Sequence, residues 1–117
     1  MPDAQTVETA DHENVRIVRF VDDEIVDADR TIELGSALMN MVKEGEPTFL
    51  LLNFENVTFF STGMMGELVK LNNRVRKKGG TVALCCMSTF LNEMFHIARL
   101  DRVFEIFDTE KEAIDGH

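Results

Sequence analysis

From Val15 the chain reads VRIVRFV, with β-branched residues alternating with arginines. The period of two predicts a strand that places Val15, Ile17 and Arg19 on one face. DDEIVDAD breaks that pattern. Beginning near Ala28, the residues Ile32, Leu34, Leu38, Met39, Met41 and Val42 recur at helical spacing until Gly45 and Pro47 stop the run, which predicts a helix of about 16 residues. TFLLLNF is apolar without alternation and of strand length, as expected for a central or parallel strand covered on both faces. A turn through Glu55 and Asn56 follows, then VTFFS, then a second helix from Thr62 to about Lys78 closed by Gly79 and Gly80. TVALCCM reads as another strand, Ser88 or Thr89 can cap a third helix running to about Arg99, and RVFEIF is a further strand. DTEKEAI carries a capping-box arrangement between Thr109 and Glu112. Strands and helices thus alternate, and the expected fold is α/β, a sheet with parallel pairs and helices packed against it.

The start of the chain differs in composition. Asp3, Glu8, Asp11 and Glu13 fall among few apolar residues, so residues 1–13 are expected to be a flexible N-terminal segment, with a short edge strand near Val7, and 14–117 the folded domain. A length of 117 residues suits one hydrophobic core. No apolar run approaches the roughly 18 residues of a membrane span, and the acidic start lacks the character of a secretory signal. A cytoplasmic protein without membrane insertion is expected. The formal net charge of -9 argues against a dedicated nucleic-acid binder and for a protein partner with basic patches. Cys85 and Cys86 are adjacent, which makes neither a disulfide framework nor a CxxC site; ordinary reduced residues are expected.

Candidate chemistry is sparse. The glycines of GMMGEL have the wrong spacing for a phosphate loop, so no cofactor is expected. His12, His96 and His117 form no pair at metal-ligand spacing, so no metal is expected either. The acidic run of Asp22, Asp23, Glu24, Asp27 and Asp29 fits a solvated loop in which Asp27 or Asp29 caps the first helix. No nucleophile, base and oxyanion donor occur as a set, so an enzyme is not expected.

What remains is FFSTGMMGEL, where Ser61 and Thr62 stand at a helix start. The Ser61 hydroxyl can cap the first turn, and a phosphate on Thr62 would be tolerated at the positive end of the helix. At about 100° per residue, Met64, Leu68, Leu71 and Val75 share the arc facing the sheet. Thr62 points away from that arc, with Gly66, Val69, Asn73 and Arg76 on its side and Met65 on the border. An apolar Val69 beside a bare Gly66 suggests a partner surface over Thr62.

The strand TFLLLNF, the turn ENVTFFSTGMMGEL, the helix KLNNRVRKKGG, TVALCCM and the ending STFLNEMFHIARLDRVFEIFDTEKEAI together resemble the STAS domain of anti-sigma factor antagonists, from Val15 to Ile114. The resemblance implies a mixed four- to five-stranded β-sheet with helices packed against it. It also implies partner switching: the unmodified domain binds an anti-sigma factor with serine/threonine kinase activity, and phosphorylation at the start of the second helix ends that binding, with a phosphatase as a further candidate partner. Many such antagonists read Asp-Ser-Ser-Gly-Leu-Gly at the switch. Aligned without a gap, that hexad places the phospho-acceptor on Thr62 and a Ser, Ser61, where the family has Asp. Sliding by one makes Ser61 the acceptor but leaves Gly66 unmatched. The implied partner surface comprises Ser61, Thr62, Gly63, Met65, Gly66, Val69, Asn73 and Arg76. The alternative is a non-switching STAS subunit of a larger complex, such as a phospholipid-transport ABC system.

Overall fold

A computed structural model describes residues 7–42 and 49–116. Gly45, Pro47 and His117, to which the sequence assigned a helix stop and a terminal position, lie outside the described residues.

The first described element belongs to the segment expected to be flexible. Val7–His12 is a strand (β1), pairing antiparallel with Val15–Phe20 (β2) over its full length, from Val7 opposite Phe20 to His12 opposite Val15. The edge strand expected near Val7 is therefore a six-residue element of the sheet. Glu13 sits in the turn with φ 56°.

Two-residue strands Glu24–Ile25 (β3) and Phe59–Phe60 (β5) form a separate parallel ladder. The main sheet continues with Phe49–Asn53 (β4), Thr81–Cys85 (β6) and Glu105–Phe107 (β7). Its order is β1-β2-β4-β6-β7, with every pair after the first parallel. All five residues of β4 are buried, as its unbroken apolar run requires of a strand with neighbours on both edges and layers on both faces.

Helices Ala28–Asn40 (α1), Thr62–Lys77 (α2) and Thr89–Ile97 (α3) cover one face of the sheet, and Glu110–Gly116 (α4) the other. Alternation along the strands sorts the core accordingly. Val18, Phe20, Leu50, Leu52, Val82 and Leu84 face α1–α3, while Val15, Ile17, Phe49, Leu51, Ala83 and Cys85 meet Ala113 of α4. A run of rings crosses the larger core: Phe20 stacks on Phe54 at 4.7 Å, and Phe54, Phe60, Phe95 and Phe104 follow at 5.5, 5.9 and 5.8 Å. This packing fixes Phe60, the residue before Ser61.

Several boundaries differ from expectation for local reasons. TVALCCM stops pairing at Cys85 because Cys86 turns to φ 63°. The third helix ends at Ile97, before Arg99 at φ 62°, and a 3₁₀ turn at Leu100–Arg102 shortens RVFEIF to the strand Glu105–Phe107. In α1 the buried side is Thr31, Leu34, Gly35 and Leu38. Ile32, expected on the apolar face, is 60% exposed, since two residues along a helix rotate it about 200° from Leu34. The end of α2 is as expected: Gly79 takes φ 84°, and the Gly80 N–H donates to the Val75 carbonyl at 2.9 Å.

Candidate functional site

The stretch FFSTGMMGEL begins in the small parallel ladder. The Ser61 N–H donates to the Ile25 carbonyl at 3.0 Å, and the Thr58 N–H to the Asp23 carbonyl at 2.8 Å. These bonds bring the start of α2 against the start of α1, so that a Cβ on Gly63 would lie 3.9 Å from the Thr31 methyl. Two helix N-termini therefore open side by side beyond the carboxyl ends of β3 and β5. They are finished differently. At α1, Asp27 occupies the cap position and its carboxylate accepts from the Arg30 N–H at 3.0 Å. Two more members of the acidic run are engaged: Asp22 takes a forked bond from the Arg30 guanidinium at 2.9 and 2.6 Å, and the Asp23 carboxylate accepts from the Thr58 hydroxyl at 3.2 Å. Asp27, rather than Asp29, is the cap.

At α2, Ser61 stands at the cap position with extended backbone (φ -80°, ψ 168°), but its hydroxyl makes no capping bond. Its carbonyl accepts from the N–H groups of Met64 and Met65. Among the described residues nothing accepts from the N–H of Thr62 or Gly63, so this helix end keeps open donors at its positive end. Its first turn holds no acidic residue.

The structure divides the residues assigned to the partner surface. Thr62, Gly63 and Gly66 are exposed, and Ser61 is half-buried beside them. A Cβ built on Gly66 would meet nothing within 4 Å, so packing within the chain gives no reason for a glycine there. Met65 is 8% exposed and belongs to the core, so it is not on the surface. Val69 is partly buried against the same core, which removes most of the anomaly it presented in the sequence. Asn73 and Arg76 are exposed, but along α2 they stand roughly 16 and 21 Å from Thr62 at 1.5 Å per residue.

Sequence reasoning missed two neighbours. Val26, directly after the ladder residue Ile25, is 53% exposed, and Ile32 faces solvent one turn into α1. Ile32 also lines a groove between α1 and α2 of about 350 Å³, with Gly35, Met39, Glu67 and Lys70. Its angular offset from Leu34 and Leu38 was the available signal.

Other candidate groups are occupied elsewhere. Cys85 is buried and Cys86 half-buried, both free thiols, and burial pushes both thiols up, away from the reactive thiolate. His96 pairs with Asp101 at 2.9 Å on the surface. No group of three or more His, Cys, Asp or Glu among the described residues could hold a metal ion, and no described helix is long and apolar enough to cross a membrane.

This arrangement has relatives. The anti-sigma-factor antagonist (STAS) domain protein from Planctomyces limnophilus superposes with a TM-score of 0.84 at 21% identity, over 94% of this chain and 95% of that one. The Bacillus cell-fate determinant SpoIIAA, in its phosphorylated form, gives 0.71 at 20% identity over 93% and 96% of the two chains. A sulfate transporter family protein from Wolinella succinogenes gives 0.73 at 18% identity over 97% and 91%. At these identities the likenesses establish a common fold. The sequence model of the STAS domain matches residues 6–113, β1 included, and with that match this chain belongs to the STAS domain family.

Proposed function

We propose that this chain is an anti-sigma factor antagonist, a binding protein rather than an enzyme. In this reading it grips an anti-sigma factor with serine/threonine kinase activity through the start of α2, and phosphorylation of Thr62 releases it. The observation that carries the reading is the bare helix start: an exposed hydroxyl at Thr62, open N–H donors at Thr62 and Gly63, and an exposed Gly66 that nothing inside the chain requires. A glycine inside a helix costs about 1 kcal/mol relative to alanine. Close approach of a partner over that turn offsets such a cost. Ser61, Thr62, Gly63 and Gly66 form the centre of the contact, flanked by Val26, Ile32 and Val69; Asn73 and Arg76 extend the same side of the helix for a long partner. Anti-sigma factor antagonists among the fold neighbours support the reading, and one of them, SpoIIAA, occurs in a phosphorylated form.

Phosphate on Thr62 would add about -1.5 to -2 charge at pH 7. The helix dipole and open donors accommodate that charge on this chain, while its bulk stands where the partner must come close. The whole cycle of kinase, phosphatase and antagonist fits a cytoplasmic setting.

The test is to incubate the protein with its anti-sigma kinase and ATP, map phosphate by mass spectrometry, and measure binding of Thr62→Glu and Thr62→Ala. Phosphate on Thr62 and at least tenfold weaker binding of Thr62→Glu, about 1.4 kcal/mol, are expected, with Thr62→Ala still bound. Phosphate on Ser61 would move the acceptor by one position; unchanged binding of Thr62→Glu would end the switch.

A second reading, a constitutive subunit of a membrane transport complex, is favoured by the shared fold of the Wolinella sulfate transporter family protein and by Ser61 in place of the Asp of many antagonists. Stable co-purification with a transporter subunit such as an ABC ATPase, insensitive to Thr62→Glu, would decide for it.

A further inference from the structure

At the opposite end of the sheet from Thr62, the amino ends of β6 and β7 and the carboxyl end of α2 enclose a groove of about 310 Å³. Asn72, Arg76, Gly79, Gly80 and Glu105 line it, and its volume is within the range of small-molecule sites.

Asn72 is the unusual member. It is 3% exposed, one of three buried polar residues among those described. The others are satisfied: Thr31 donates to the Asp27 carbonyl, while Asn53 donates to Glu110 and accepts from the Glu55 N–H. The Asn72 amide has no hydrogen-bond partner among the described residues. With no partner inside the chain, this amide depends on whatever reaches it from outside. No fully enclosed side-chain nitrogen or oxygen lacks a partner, so the residual exposure of Asn72 is at its amide, and the open space it borders is the groove.

Charge completes the description. Arg76 and Glu105 both line the groove and both are exposed, yet they form no ion pair with each other or with any other described residue. A cation and an anion that line one groove without pairing, beside a solvent-facing amide that no described residue engages, make a receptor for a molecule that carries both charges. We propose that this groove binds a small zwitterion of the free α-amino acid class, its carboxylate toward Arg76, its ammonium toward Glu105, and a polar atom on the Asn72 amide. The site is separate from the start of α2 and does not depend on the proposed switch.

The test uses the ¹⁵N-labelled full chain titrated with L-alanine and L-glutamine, with acetate and methylamine as single-charge controls. Saturable shifts of the Asn72 side-chain amide and the Gly79 and Gly80 backbone amides are expected, with a Kd of about 1 mM or tighter, while Thr62 and Gly63 stay in place. Asn72→Leu and Arg76→Gln should each weaken binding at least tenfold. Arg76 is exposed, so its variant reports on binding even if Asn72→Leu folds poorly. Absence of saturable shifts with either amino acid, equal affinity for acetate, or unchanged binding by Arg76→Gln would each overturn the proposal.

Discussion

Gly66 and Gly35 are both helical glycines, and only one is explained by the fold. A Cβ on Gly35 would run into the Glu67 carboxylate, which lies across it from α2. Gly35 therefore leaves the room over α1 in which the Glu67 side chain lies. Gly66 faces open space and has no such reason. Replacing it with alanine removes backbone freedom from the unfolded chain and leaves the native contacts intact, so Gly66→Ala should raise stability by about 0.5–1 kcal/mol in urea unfolding. The same variant should bind the anti-sigma partner more weakly, because the added methyl stands in the proposed contact. A variant that is more stable and binds equally well would leave Gly66 without a role. Gly79, at φ 84°, is the opposite case: alanine there meets no neighbour but must take a left-handed conformation.

At the scale of elements, the helices differ in how they are capped, and the differences can be measured. The Ser88 hydroxyl accepts from the Leu91 N–H at 3.1 Å at the start of α3; Thr109 accepts from the Glu112 N–H at the start of α4, and Glu112 reaches back to the Asp108 N–H. Ser61 makes no such bond. Ser88→Ala should therefore cost about 1 kcal/mol, while Ser61→Ala should be close to neutral and Ser61→Asp stabilising by a few tenths to about 1 kcal/mol, through both the cap and the dipole. Thermal unfolding of the three variants would rank them, and a cost for Ser61→Ala equal to that of Ser88→Ala would contradict the uncapped geometry. The caps were legible in the sequence because Ser, Thr and Asp before an apolar periodic run have few other uses; whether a given hydroxyl turns inward was not. Strand β4 was legible for the same kind of reason, since FLLLN fits only a strand covered on both faces. The ladder of β3 and β5 was invisible, because two-residue strands have no period, yet it is what sets Ser61 beside Ile25. Met65 and Asn72, two turns apart on one side of α2, are both buried. The apolar stripe of Met64, Leu68, Leu71 and Val75 gave the centre of the buried arc correctly but understated its width, and a polar residue inside that margin carries no signal in a hydrophobic pattern.

At the scale of the molecule, the two faces of the sheet are covered very unequally. Three helices secure one face; the other depends on α4, a single short helix at the end of the described chain. What holds α4 besides Ala113 and Ile114 is a polar clamp. Arg19 of β2 donates a forked pair to Glu110 at 2.8 and 2.9 Å, and the buried amide of Asn53 donates to the same carboxylate. Arg19 thus lies on the face predicted for it with Val15 and Ile17, doing electrostatic rather than apolar work. Its guanidinium holds the Glu110 carboxyl below the usual carboxylate range, against the opposing effect of burial and with help from Asn53. Because the folded pKa is depressed, the clamp is fully effective above the unfolded value of about 4.3 and is lost as pH falls through the lower folded value. Glu110→Gln removes the charge but leaves a hydrogen-bonding amide, and since Arg19 is partly exposed the loss at pH 7 should be about 1 kcal/mol rather than that of a buried pair. The gap between the two proteins in urea unfolding should then narrow steadily as pH drops from 5 towards 3, while both weaken through their other carboxylates. A gap that stays constant over that range would mean that α4 is held by its apolar contacts alone and that Glu110 does not link it to the sheet.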